Sequence, residues 1–179
     1  KGWARELGMT DTNFVNCTGL PASGQYCCAR DVALMLGELL RHEEYFGYSR
    51  TWMDEMHHPE GRVTEMANTN KLLRSYVGCD GGKTGYTSEA GYCIAATAVR
   101  GDMRALSVVI GAPDSKARFA GAGELFDYIF ASYTSRAVLD DAVLSSPCEV
   151  IGGKEKLVAV RPERASYPFC AADDTDAVD

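Results

Sequence analysis

A chain of 179 residues, 46% hydrophobic and 24% charged, has the makeup of one globular domain, or one domain and part of another, with a packed core. Its net charge of −7 argues against nucleic-acid binding, which needs clustered Lys and Arg, and against charge-driven docking on an anionic membrane. No apolar run approaches the roughly 20 residues that span a bilayer, and Lys1-Gly2-Trp3-Ala4-Arg5 lacks the apolar segment of a signal peptide.

In chain order, residues 1–9 read as the end of a helix, with Trp3, Leu7 and Met9 on its apolar side and Gly8 at its stop. Asp11 to Gly24 is a loop rich in Asn, Thr, Gly and Pro. Tyr26 to Arg41 predicts an amphipathic helix, since Val32, Met35, Leu36, Leu39 and Leu40 recur at helical spacing. Residues 42–70 read as polar and irregular, with a short strand at Trp52-Met53, and Leu72, Leu73 and Tyr76 lead into a glycine-rich segment. Lys83–Thr87, Gly91–Val99 and Arg104–Gly111 predict three consecutive antiparallel strands, the last two joined by Arg100-Gly101-Asp102-Met103. Ser115 to Tyr133 predicts a helix capped by Ser115, with Phe119, Leu125, Phe126, Ile129 and Phe130 on one face. Beyond it, Ala137-Val-Leu, Cys148-Glu-Val-Ile and Leu157-Val-Ala-Val read as short strands. The acidic stretch Ala171 to Asp179 reads as frayed. The change of character places a domain boundary at 135/136: a main domain over 1–135 and the beginning of a β-rich domain over 136–179.

Seven cysteines are scattered without a Cys-x-x-Cys or a Cys/His metal spacing, which predicts reduced thiols and no metal. That suits a reducing compartment or an exported protein of a host living without oxygen. His57-His58 reads as a solvated loop, and Asn68 and Asn70 as turn residues bonded to backbone.

The segment that stands out is Asp80-Gly81-Gly82-Lys83-Thr84-Gly85-Tyr86-Thr87, closed by Ala90-Gly91-Tyr92. Lys83-Thr84-Gly85 matches the third motif of penicillin-binding proteins and class A β-lactamases. With Leu7-Gly8-Met9, Thr12-Asn13-Phe14-Val15-Asn16, Thr18-Gly19-Leu20-Pro21, Tyr26–Ala33, Asn68–Leu73 and Arg118, the chain resembles the serine-type D-alanyl-D-alanine carboxypeptidases among the low-molecular-weight penicillin-binding proteins. Cys27-Cys28 stand where serines are usual. The sequence holds no Ser-x-x-Lys and no Ser-x-Asn. Ser23-Gly24-Gln25 imitates the latter but sits in a loop.

The resemblance implies an α/β (α+β) fold: an incomplete β-lactamase/transpeptidase-like antiparallel sheet flanked by helices, then the start of a small β-rich domain. It implies a C-terminal fragment, inactive alone, whose nucleophile motifs lie upstream of Lys1, and whose parent is an extracytoplasmic enzyme of a bacterial envelope. The implied partners are a peptidoglycan stem peptide ending in D-Ala-D-Ala and, for the full-length protein, β-lactams as covalent inhibitors; no cofactor is implied. Lys83 would supply positive charge and support the proton network, and the Tyr86 N–H would form half of an oxyanion hole. Thr84 would donate to the substrate carboxylate, Gly85 would let the substrate backbone approach, and Thr87 would join the binding edge. Arg118 would be a second carboxylate ligand. Two rivals stand beside this reading. A β-lactamase would need a Glu-led loop such as Glu65-Met66-Ala67-Asn68, whose spacing does not fit. The other is a non-catalytic peptide-binding module.

Overall fold

The computed structural model describes residues 2–135, 147–158 and 169–172, without the side chains of Cys148 and Phe169. The chain falls into two compact units, one ending at Ile129 and the other beginning at Phe130. That division lies inside a helix, ahead of the compositional boundary at 135/136.

In the first unit, α1 (Gly2–Glu6) stops before Gly8, whose φ of 72° is a conformation open to glycine. Met9 then turns into the core at 5% exposure. The following loop closes on a single bridge between Asn13 and Tyr26. That bridge holds Tyr26 extended, so α2 (Ala29–Leu39) starts three residues later than its periodicity predicts, with the Cys28 sulfur accepting from the Asp31 N–H as its cap.

Residues 42–70 differ most from expectation. They form α3 (Glu44–Ser49) and an antiparallel hairpin, β1 (Met53–His57) with β2 (Val63–Ala67). Every residue of both strands is exposed, so no burial alternation existed to be read. Asn68 and Asn70 bond to backbone as turn residues do: Asn68 Nδ2 donates to the Ser49 and Thr51 carbonyls, and Asn70 Nδ2 to Gly81. Asn70 Oδ1 also receives the Leu72 N–H that opens α4 (Leu72–Ser75).

The expected three-stranded antiparallel meander is present, as β3 (Cys79–Thr87), β4 (Gly91–Arg100) and β5 (Met103–Ala112) in that spatial order. Alternation along β4 sends Ile94, Ala96 and Ala98 to one face, where they are almost wholly buried. That face is covered by α5 (Ser115–Ser132), whose Ala122 and Phe126 are fully buried and whose Gly121 lies over Val109. Leu125 sits outside this seam, 42% exposed. The cap of α5 is Asp114 rather than Ser115, because the Asp114 carboxylate accepts the Ala117 N–H at 2.7 Å. On the opposite face α2 packs through Gly37 against Leu106.

The second unit contains β6 (Tyr133–Ser135), a hairpin of β7 (Cys148–Glu149) and β8 (Leu157–Val158), and β9 (Phe169–Ala171), which pairs antiparallel with β6. The strand expected at 137–139 and most of the acidic tail lie outside the described residues.

Tyr76 fastens α5 to the sheet. Its ring packs on Phe126 at 5.2 Å, its hydroxyl donates to Asp127 at 2.7 Å, and it accepts from Arg100 at 2.9 Å. Burial, and then the bond to Asp127, push the phenol up to about 12, against the opposing Arg100 charge. The protonated form is the one the fold favours. Its stabilisation is therefore complete below the unfolded value of about 10 and lost as pH rises through 12. Tyr76→Phe is expected to cost about 1 kcal/mol at neutral pH, with the gap to wild type closing between about pH 10 and 12 in thermal melts followed by circular dichroism.

Candidate functional site

Lys83, Thr84, Gly85, Tyr86 and Thr87 form the second half of β3, the end strand of its sheet. Which of their main-chain groups face outward follows from Arg118. One of its nitrogens, Nη1, donates to both the Gly85 and Cys93 carbonyls, at 3.1 and 3.3 Å. Gly85 and Cys93 are direct cross-strand partners. In an antiparallel pair, opposite residues either turn their main-chain groups toward each other or turn both away. Only the first kind lets one nitrogen reach both oxygens. Gly85 therefore bonds inward to β4, and its neighbours Thr84 and Tyr86 turn N–H and C=O to the open edge. Gly82, two residues back, agrees: its N–H leaves the sheet for the Tyr45 hydroxyl at 2.8 Å.

The side chains divide between the two faces. Thr84 opposes Ile94 and Tyr86 opposes Tyr92, on the face covered by α5. Thr84 is buried at 6% exposure, its hydroxyl 2.6 Å from that of Thr69, a partner that no sequence motif announces. The Tyr86 and Tyr92 rings meet at 4.4 Å. Lys83 and Gly85 belong to the opposite face. The Lys83 ammonium curls onto the Thr84 carbonyl at the open edge. Gly85 has nothing within 4 Å of where a Cβ would stand, so its bare face is free space. Thr87 lies at the strand end, where its hydroxyl accepts the Ala90 N–H and fixes the β3–β4 turn.

Arg118 enters from the first turn of α5 and is buried at 8% exposure, its guanidinium between the Tyr92 and Phe119 rings. Its Nε is buried with no partner among the described residues. It thus carries both a structural duty beneath Gly85 and donor capacity beyond Nη1.

Other sequence candidates lie elsewhere. Gln25 of the Ser23-Gly24-Gln25 loop accepts the Val15 and Asn16 N–H groups and donates to Leu20, which is loop architecture. His58 bonds Thr64 and Arg62 at the hairpin tip, and Glu65 is exposed on β2. Among the described residues Asp11, Cys28 and Asp31 bring metal-type atoms within 4.8 Å. The Asp31 carboxylate is already engaged by the Asp11 N–H, Thr12 and Arg30. Burial raises its pKa, but the bonds from Thr12, Asp11 and Cys28 and the charge of Arg30 outweigh this and hold it below the usual value. Burial, foremost, pushes the Cys27 and Cys79 thiols up, and the charges near Cys27 (Cys93, Cys28 and Asp31) push the same way.

A family model described as D-alanyl-D-alanine carboxypeptidase matches residues 1–114. The chain is 38% identical over 155 residues to D-alanyl-D-alanine carboxypeptidase DacF of Bacillus subtilis, covering 87% of this chain and 40% of that protein. It is 36% identical over 162 residues to DacC of Escherichia coli, covering 87% and 38%. Penicillin binding protein 5 from Haemophilus influenzae superposes with a TM-score of 0.75 at 26% identity, over 97% of this chain and 50% of that one. The Streptomyces K15 DD-transpeptidase does so at 0.67 and 28%, over 73% and 52%. The chain therefore spans half or less of the length of these curated relatives. With a matching model over most of its first unit and the Lys83-Thr84-Gly85 strand at the sheet edge, this chain belongs to the D-alanyl-D-alanine carboxypeptidase family.

Proposed function

We propose that this chain supplies the substrate-binding edge of a serine-type D-Ala-D-Ala carboxypeptidase that trims peptidoglycan stem peptides in a bacterial envelope and that β-lactams acylate. The observation that carries the reading is the pair of outward main-chain stations at Thr84 and Tyr86, flanking a glycine with free space above it and adjoining a lysine. An extended peptide adds to such an edge as a short strand. Its scissile carbonyl sits at the Tyr86 N–H, which stabilises the oxyanion. Its terminal carboxylate sits toward Thr84, between the Lys83 ammonium and the donors of Arg118. Gly85 keeps the strand clear where a side chain would hold the peptide off.

The attacking serine and its lysine belong to a Ser-x-x-Lys motif that these 179 residues do not contain. Fluorescent penicillin is therefore expected to leave this polypeptide unlabelled on a denaturing gel, and a covalent band would overturn that division of labour. In a polypeptide carrying this chain behind Ser-x-x-Lys and Ser-x-Asn segments, Lys83→Ala is expected to lower kcat/KM on a D-Ala-D-Ala peptide by roughly 10- to 100-fold, the scale of a charged hydrogen bond. Unchanged turnover would remove Lys83 from the mechanism. Gly85→Ala separates folding from function. Stability is expected to stay within about 0.5 kcal/mol of wild type because the Cβ meets open space, while turnover falls about 100-fold or more through misplacement of the peptide. Gly85→Ala with full activity would refute the edge-pairing geometry.

A further inference from the structure

Within the Lys83-Thr84-Gly85 segment, Thr84 alone is buried, at 6% exposure between an exposed Lys83 and an exposed Gly85. Its hydroxyl stands 2.6 Å from that of Thr69, which is exposed. Among the described residues neither hydroxyl has a second partner. A hydroxyl carries one proton, so the pair holds two and spends one on the bond between them. If Thr69 donated, the Thr84 proton would be left buried without an acceptor, at the full desolvation cost of an unmet donor. If Thr84 donates, the spare proton belongs to Thr69 and is open to water or to a ligand. Burial therefore sets the direction of the bond, from Thr84 to Thr69.

Thr69 is held in place by both its neighbours. The Asn68 side chain donates to the Ser49 and Thr51 carbonyls at 3.4 and 3.1 Å, and its oxygen accepts the Asn70 N–H at 2.9 Å. The Asn70 side chain, 1% exposed, donates to the Gly81 carbonyl at 3.1 Å and accepts the Leu72 N–H at 3.1 Å. The turn carrying Thr69 is thus tied to the end of α3, to β3 and to α4. Across the strand, the Lys83 ammonium lies on the Thr84 carbonyl, and Lys83 belongs to the sheet face opposite the Thr84 side chain. A carboxylate stationed at Thr84 therefore meets a cation from one face and the Thr69 proton from the other.

We propose that Thr69 is a specificity-determining residue whose hydroxyl donates to the peptide's terminal carboxylate, with the Thr84 hydroxyl supporting it rather than making that contact. Thr69 takes this part only within the carboxypeptidase reading, and it moves one of that reading's contacts from β3 to the turn ahead of α4. The bond it accepts from Thr84 makes it a better donor, because linked hydrogen bonds polarise one another.

The test is a pair of peptides titrated against the isotopically labelled chain by NMR: an acylated Lys-D-Ala-D-Ala, and the same peptide ending in a carboxamide. The wild-type chain is expected to bind the carboxylate form at least about tenfold more tightly. Thr69→Val keeps the shape without the proton. It is expected to lower that ratio about three- to tenfold while carboxamide binding stays within about twofold. Thr69→Ser is expected to restore the ratio. Thr84→Val leaves Thr69 its proton and is expected to lower the ratio less than Thr69→Val does. If Thr84→Val does not fold, the two Thr69 variants decide alone. An unchanged ratio in Thr69→Val, or a larger loss in Thr84→Val, overturns the assignment and leaves the carboxypeptidase reading standing. A wild-type chain that binds neither peptide, or does not prefer the carboxylate, overturns that reading and the role of Thr69 with it.

Discussion

The Asp80 carboxylate is the point on which the site's architecture turns. It is 7% exposed and receives two bonds from Arg104, at 2.8 and 3.0 Å, and one from Arg50 at 3.2 Å. Arg104 also donates to Thr97 at 2.8 Å. A single anion thus joins the start of β3 to β5 directly, to β4 through Arg104 and Thr97, and to the end of α3. Burying such a group is costly, and its hydrogen bonds offset the cost only when all are made together. The cluster is better read as a device for register than as a source of net stability. It fixes where β3 begins, and therefore which residues of the glycine run fall on the open edge.

A third arginine plays the complementary part at the far end of the strand. Arg118 holds the Gly85–Cys93 step closed from the α5 side. A cation in the first turn of a helix opposes the macrodipole, so its position there is explained by what it reaches. Two arginine-centred anchors, at Asp80 and at Gly85, bracket Lys83 and Thr84. The proposed binding edge is braced because each of its ends is tied to a different helix. That bracing is what a short added strand needs if its carbonyl is to meet the oxyanion donor without reorganisation.

The sheet and the Lys83 segment were legible in the sequence because their signals are local. Apolar alternation, short Gly-containing turns and a tripeptide with diagnostic flanks are all contained within a few residues. What was missed depends on distant partners. The six-residue α3 is too short for a periodic signature, and Tyr45 acquires its role from a glycine 37 positions away. The β1–β2 hairpin is exposed on both faces, so burial left no alternation in it. The start of α2 was misplaced because a sulfur, a weak acceptor, caps it where a hydroxyl would have been recognised. Asp114 and Ser115 are adjacent and both favoured as caps, and only the geometry chooses the aspartate.

The chain is acidic overall, yet the edge proposed to capture a carboxylate is flanked by Lys83 and Arg118. The long-range field of a protein carrying −7 repels anions. At physiological salt that field fades within about 8 Å, whereas a buried guanidinium is screened far less than an exposed one. Arg118, at 8% exposure, therefore retains its local effect while most of the surface acids lose theirs. The recognition proposed at this edge is consequently a contact property, set by a few donors at fixed positions on β3 and at the start of α5.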